Sequence, residues 1–224
     1  MADPVHLHGY RYSVYTRVAR LVLLSKPVEH RTIEVDPFAG LSEDYLRLNP
    51  FGRVPVLTHG AFRLFETSAI TRYVDRAFEG RPLQPESVSA LARMDQVIAV
   101  VDAYAYWPMV RQVSSHGFFR PFFGEPSSRE EIDSGLEASR KVLAFLDGVA
   151  GEGEVLTGRD ITLADCHLAP MIDYFVRAEE GKAALSTHLA LQGWWDRLSA
   201  LDILKATDPF ANRPGNHESA LRIR

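Results

Sequence analysis

Residues 49–57 read NPFGRVPVL. Asn49 and Pro50 end whatever helix precedes them, Gly52 allows a turn, and Val56 and Leu57 begin an apolar strand. Pro55 has no N–H to give a sheet, and such a residue is tolerated where a strand begins. The backbone N–H and C=O of Val54 are the groups of interest. Turned away from the sheet, they can pair with an extended, peptide-like ligand as an added strand would.

Downstream, RVPVLTHGAFRLFET predicts a β-hairpin turning at Thr-His-Gly. SAITRYVDRAF follows with helical periodicity and is closed by Gly80 and Pro82. Upstream, SEDYLRLNP predicts a short helix and EHRTIEVD a strand. TRVARLVLLSK places Val18, Leu21, Val22 and Leu24 at helical spacing before Lys26-Pro27 stops it, and VHLHGY is the first strand. The order is β-α-β-α-β-β-α. A helical crossover makes the first two strands parallel, whereas the hairpin is antiparallel, so the sheet is mixed.

Beyond the linker at Gly80–Glu86 strand patterns vanish. VSALARMDQVIAVVDAYAYWPMVRQVSS predicts a long helix kinked at Pro108, and HGFFRPFFGEPSS an irregular aromatic stretch. REEIDSGLEASRKVLAFLDGVAG, TLADCHLAPMIDYFVRA and KAALSTHLALQGWWDRLSAL are helical, and the tail DPFANRPGNHESALRIR is rich in turn formers. The expected fold class is α/β plus all-α, with domains at 1–82 and 87–224.

Lys and Arg total 25 against 29 Asp and Glu, a net charge of −4 with the arginines dispersed. Neither nucleic acid nor an anionic membrane surface is an expected partner. The one cysteine, Cys166, excludes an intramolecular disulfide and a cysteine-based metal cluster, and suits a reducing, cytoplasmic setting. No signal peptide or membrane-spanning helix is expected. His6 and His8 share a face of the first strand, but no third ligand accompanies them, so no metal is expected.

Two further places carry candidate chemistry. In LFETSAI, Glu66, Thr67 and Ser68 precede an amphipathic helix. They either cap it, or use its free N–H groups and positive end to hold a carboxylate while Glu66 faces an ammonium. In GYRYSVYTRVARLVLL, residues 9–24, Tyr10, Tyr12, Ser13, Tyr15 and Thr16 cluster where a helix begins. Ser13 either caps that helix or points its O–H at a ligand. Arg17 and Arg20 are read as solvated.

The element order, NPFGRVPVL and ETSAI at this separation, and the all-helical second half resemble the cytosolic glutathione transferase family over nearly the whole chain. The resemblance implies a thioredoxin-like N-terminal domain, an all-helical C-terminal domain and a homodimer. It implies glutathione as co-substrate, no metal, and attack of the glutathione thiolate on an apolar electrophile in a detoxifying reaction. Val54 would pair with the cysteinyl part of glutathione, Pro55 would be cis, and Glu66 and Thr67 would hold the γ-glutamyl end. Arg53 would reach toward a carboxylate. The chain departs from the family in DPFAGLSEDYLRL, which lacks the lysine or histidine that members use for the glycyl end. Ser13 followed four positions later by Arg17 resembles serine-type, bacterial-like members, with Tyr10 as the alternative hydroxyl. Tyr106 and Phe119 are candidates to line an electrophile pocket between the domains. Thr162 and Asp165 have capping-box spacing, Cys166 reads as a buried small hydrophobe, and Trp194 and Trp195 as packing. Other glutathione-dependent chemistry (dehalogenation, isomerisation, ether cleavage, peroxide reduction) and a non-catalytic binding protein share the same fold.

Overall fold

The computed structural model describes residues 3–211. It divides into two units, one of residues 3–81 with 202–211 and the other Pro82–Leu201. The expected second domain, 87–224, differs at its end, because the segment from Asp202 packs with the first unit. The part of the tail beyond residue 211 lies outside the described residues.

In the first unit, β1 (Val5–Gly9), α1 (Val14–Ser25), β2 (Arg31–Glu34), α2 (Glu43–Leu48), β3 (Val56–His59), β4 (Phe62–Phe65) and α3 (Thr67–Ala77) follow in order. The sheet runs β2-β1-β3-β4, with β1 and β2 parallel and the other pairs antiparallel. Alternation along β1 buries Val5, Leu7 and Gly9 and leaves His6 and His8 half-buried. Val18, Val22 and Leu23 of α1 and Ile70 and Val74 of α3 are wholly buried. Gly60, at φ 57°, makes the β3–β4 turn.

Three charged side chains buried in this unit are handled by pairing. Lys26, just past α1, sits 3.3 Å from Asp75 of α3, and its Nζ also donates to the carbonyls of Gly80 (3.2 Å) and Arg81 (3.1 Å). The lysine that reads as a helix stop is thus a buried tie among α1, α3 and the following chain. Arg17 corrects the expectation of a solvated side chain: it is 2 % exposed. Its Nε donates to Thr207 Oγ1 (3.2 Å) and its Nη2 to the Leu204 carbonyl (3.1 Å), on and just after α10 (Asp202–Ala206). Arg20 follows it, with Nη2 3.5 Å from the Ala206 carbonyl. Local spacing could not reveal an acceptor about 190 positions away.

The second unit holds α4 (Val88–Val100), a π-helix (Val101–Phe119), α5 (Arg120–Phe122), α6 (Arg129–Glu152), α7 (Leu163–Phe175), α8 (Glu179–Ser186) and α9 (Leu189–Ser199). The helical run passes Pro108 without a break, where a kink was expected, and adopts the wider i→i+5 pattern, so that the Arg120 N–H meets the Ser115 carbonyl. The aromatic stretch is helical through Phe122 rather than irregular from His116, and only the residues from Phe123 to Ser128 lie outside helices. His116 Nδ1 accepts the Ser128 N–H at 3.0 Å and fastens this short loop. Gly135 of α6 lets the π-helix approach, since a Cβ there would stand 2.8 Å from the Pro108 carbonyl oxygen.

The α7 helix is buried almost throughout and opens on the expected capping box. Asp165 Oδ2 accepts from the Thr162 N–H (2.8 Å) and Oγ1 (2.7 Å), and its Oδ1 accepts from Trp194 Nε1 at 2.7 Å. Burial pushes the Asp165 carboxyl up, and these hydrogen bonds oppose that shift. Trp194 therefore does more than pack. The single cysteine is buried beside Asp165. Among the described residues no helix is long and apolar enough to cross a membrane.

Removing the cation beside Asp75 in Lys26→Met is expected to cost about 3–5 kcal/mol, as for other broken buried pairs. A lowered midpoint in urea unfolding followed by far-ultraviolet circular dichroism checks it.

Candidate functional site

Register brings three chain segments to one end of the sheet. His8 is opposite Val56, and Val56 is opposite Phe65. The C-terminal end of β1, the start of β3 and the end of β4 are therefore neighbours. The turn leading into α1, the Val54-Pro55 peptide and the start of α3 continue directly from them.

Ser13 forms the first of these. Its N–H donates to the Tyr10 carbonyl at 2.9 Å, closing a turn, and its Oγ accepts the Thr16 N–H at 3.2 Å as the N-cap of α1. Capping uses the hydroxyl as an acceptor, so its O–H still has a proton to donate. The first turn of α1 contains no acidic residue to offset the positive end of the helix dipole. Gly9 allows this approach of strand and helix: a Cβ there would meet Thr16 Cγ2 at 2.4 Å. Ser13 is half-buried.

Tyr10 is 8 % exposed, with its ring edge-on to Tyr12 (5.6 Å) and Phe38 (5.9 Å). Burial, then the nearby Asp36, pushes its hydroxyl up to about 12. Tyr12 in turn lies against Phe210 at 5.4 Å.

The second segment is built by Asn49 and Tyr45, which the sequence reading passed over as parts of a helix end. Asn49 is 1 % exposed. Its Oδ1 accepts the Phe51 N–H at 3.0 Å, and its Nδ2 donates to the Arg53 carbonyl at 2.8 Å. The Tyr45 hydroxyl donates to the same carbonyl at 2.8 Å, and burial pushes that phenol up to about 12. Gly52 supplies the left-handed residue of the turn at φ 62°. The Arg53 side chain is exposed while its backbone is clamped. The Val54-Pro55 peptide is cis. Pro55 is buried and Val54 half-buried. The four-residue spacing of Tyr45 and Asn49 on one helix face was the available signal.

The third segment is Glu66-Thr67-Ser68. Glu66 precedes α3 at φ 68° and ψ 115° and makes no side-chain capping hydrogen bond. A non-glycine residue with positive φ is uncommon and is found disproportionately at ligand sites. The capping alternative for Glu66 is therefore not what the chain does. Its carboxylate is exposed, and the next residue, Thr67, is 7 % exposed at the first position of the helix.

Tyr106 and Phe119 belong to the second unit, both on the π-helix and both half-buried. Phe119 joins an aromatic cluster, 4.8 Å from Phe123, which is itself 5.1 Å from Phe122. Among the described residues no group of three or more His, Cys, Asp or Glu side chains is placed to hold a metal ion, and His6 and His8 meet only as rings 6.4 Å apart.

The chain matches the family descriptions "Glutathione S-transferase, N-terminal domain" over residues 7–82 and "Glutathione S-transferase, C-terminal domain" over residues 107–202. It is 30% identical over 194 residues to glutathione S-transferase F9 of Arabidopsis thaliana, covering 84% of this chain and 89% of that protein. To glutathione S-transferase F10 of the same plant it is 29% identical over 187 residues, 81% of this chain and 86% of the other. The crystal structure of glutathione transferase F2 from Populus trichocarpa superposes with a TM-score of 0.79 at 27% identity, over 91% of this chain and 97% of that one. These relatives are plant proteins, whereas the resemblance read from the sequence was to bacterial-like members.

Asn49→Ala and Tyr45→Phe each remove one of two donors from the Arg53 carbonyl. Each is expected to cost about 1–2 kcal/mol, and the double variant more than the sum, because only then is the carbonyl left without either. A double-mutant cycle from urea unfolding midpoints checks this.

Proposed function

Because this chain belongs to the glutathione S-transferase family, we propose that its Ser13 hydroxyl is the group that holds the glutathione thiolate for attack on an electrophile. The enzyme is a glutathione transferase with glutathione as co-substrate. The observation that carries the assignment of residues is the convergence of Ser13, Val54 and Glu66 at one end of the sheet.

A free thiol titrates near 8.5, so most glutathione is protonated at neutral pH, and the thiolate is the nucleophile. The Ser13 O–H donated to sulfur, together with the uncompensated positive end of α1, favours the ionised form. The thiol proton leaves to solvent; sulfur then forms a bond to the electrophilic carbon as its leaving group departs or its double bond accepts the electron pair. The Val54 backbone pairs with the cysteinyl part of glutathione. The Glu66 carboxylate meets the γ-glutamyl ammonium, and Thr67, at the start of α3, meets the neighbouring carboxylate. Arg53 contributes positive charge at the exposed edge. Tyr106 and Phe119 offer ring faces to an apolar electrophile.

Tyr10 is the weaker alternative for the activating hydroxyl, since its ring is nearly enclosed by Tyr12 and Phe38. The serine-type assignment rests on that contrast and on the free proton of the Ser13 hydroxyl. We place the enzyme in the cytoplasm, a reading supported by its single buried cysteine, and as a homodimer. Phe51, Tyr104 and Trp107, exposed at 69%, 65% and 62%, supply apolar surface for a second copy.

The test is the pH dependence of kcat/KM with an aryl halide. The rate is expected to rise with pH through the thiol pKa of the bound glutathione, below the ordinary 8.5, and then level off. In Ser13→Ala that rise should move toward 8.5, with kcat/KM at pH 6.5 down by about 10²–10³, the cost of removing one donor from a developing anion. Tyr10→Phe should leave the profile in place, because the Tyr10 ring is enclosed by Tyr12 and Phe38. A Tyr10→Phe profile that shifts while Ser13→Ala does not would transfer the role to Tyr10. For the assembly, sedimentation equilibrium should return twice the chain mass of 25.1 kDa, and a monomer would refute the dimer.

A further inference from the structure

The turn that carries Ser13 is held on both sides by residues from the far end of the chain. On its N-terminal side, Tyr12 packs against Phe210, ring centroids 5.4 Å apart and planes 34° from parallel. On its C-terminal side, Arg17 lies one helical turn beyond Ser13, and its backbone N–H donates to the Ser13 carbonyl at 3.0 Å. The Arg17 guanidinium is buried and donates to Thr207 Oγ1 and to the Leu204 carbonyl. Thr207 is itself wholly buried, and its hydroxyl donates onward to the same Leu204 carbonyl at 2.9 Å. Arg20 extends the seam to the Ala206 carbonyl.

A guanidinium is rarely buried, and it stays so only where acceptors replace its water. Two of its acceptors, Thr207 Oγ1 and the Leu204 carbonyl, belong to the segment from Leu204 to Thr207. That segment therefore fixes where a permanent positive charge sits, one turn from the hydroxyl. The ring of Phe210 covers Tyr12, the immediate neighbour of Ser13. A hydroxyl donor acts on sulfur only within a narrow range of positions, and displacing a reacting group by about 1 Å can cost about 10²-fold in rate.

We infer that the C-terminal segment Asp202–Phe210 is a positioning element of the active site, in which Thr207 through Arg17 and Phe210 through Tyr12 seat the Ser13 hydroxyl. This rests on the reading of Ser13 as the activating group. Thr207 and Phe210 touch neither glutathione nor electrophile in this account. They act through Arg17 and Tyr12, so their loss should alter activation of the thiol more than retention of the tripeptide.

The experiment uses the full chain with Thr207→Val, which keeps the shape but loses the hydroxyl, Thr207→Ser, which keeps the hydroxyl, and Phe210→Leu. Three quantities are measured: the thiol pKa of bound glutathione from thiolate absorbance, kcat and KM for an aryl halide at pH 6.5, and the affinity for S-methylglutathione, which has no thiol to activate. Thr207→Val and Phe210→Leu are expected to raise the bound thiol pKa toward 8.5 and to lower kcat about tenfold. S-methylglutathione affinity should stay within about twofold, and Thr207→Ser should behave as wild type. Variants that melt at lower temperature but keep the wild-type thiol pKa and kcat would reduce the segment to a structural brace and overturn the inference. Equal loss of S-methylglutathione binding would do so too, by showing that the segment shapes the whole tripeptide site. Ser13→Ala run alongside separates the two levels. If it leaves the bound thiol unchanged, the Ser13 reading falls and takes this inference with it. If it shifts the thiol and the C-terminal variants do not, only the inference falls.

Discussion

The pairing register of three short strands decides which loops of the first unit meet. With His8 opposite Val56 and Val56 opposite Phe65, the loops that leave β1 and β4 and the one that enters β3 emerge side by side. A slip of one residue would turn each strand's apolar set to the other face, and Leu7 and Leu57, both fully buried and directly paired, forbid it. The same register that satisfies the core aims the starts of α1 and α3 at one place. Two helix N-termini converging there give an anion-favouring corner before any side chain is considered.

Elsewhere each unit buries charges and matches each with its own partners. Lys26 is matched by Asp75 and two carbonyls. Asp165 is surrounded by donors from Thr162 and Trp194. Arg17 is met by a threonine hydroxyl and a carbonyl. Such groups contribute little net stability over apolar replacements of the same shape, but breaking one partner is costly. Their effect is to restrict the arrangement: α1 is fixed to α3 at one end and to the chain's last described helix near the other.

Much of this was legible in the residues. Alternation in β1, the glycine of the hairpin and the helical spacing of Val18, Leu21 and Val22 reported backbone geometry directly, because period and turn chemistry are local. Thr162 and Asp165 were legible for the same reason. Ser13, Val54, Glu66 and Thr67 could be singled out because their neighbours (a helix start, a proline, a second helix start) are adjacent in sequence. What escaped was long-range or cooperative. Arg17 looks solvated in any window that excludes Thr207. Asn49 and Tyr45 read as a helix end until the Arg53 carbonyl they share is located. The π-helical run Val101–Phe119 lies close against α6 at Gly135, where Pro108, Gln112 and Val113 approach, and residue propensities around Pro108 and Gly117 point the other way.

The seam between Arg17 and Thr207 also has a bearing on how the chain matures during synthesis. Domains ordinarily fold in the order in which they leave the ribosome, at about 5–20 residues per second. Here the thioredoxin-like unit lacks some of its pieces until residues 202–211 have been made, since Arg17 waits for an acceptor 190 positions later. The helical unit, Pro82–Leu201, is an uninterrupted stretch and can complete itself first. The half that emerges earliest is thus completed after the half that follows it, and a nascent chain that stops short of Leu204 leaves the turn at Ser13 without the Thr207 and Leu204 acceptors of Arg17.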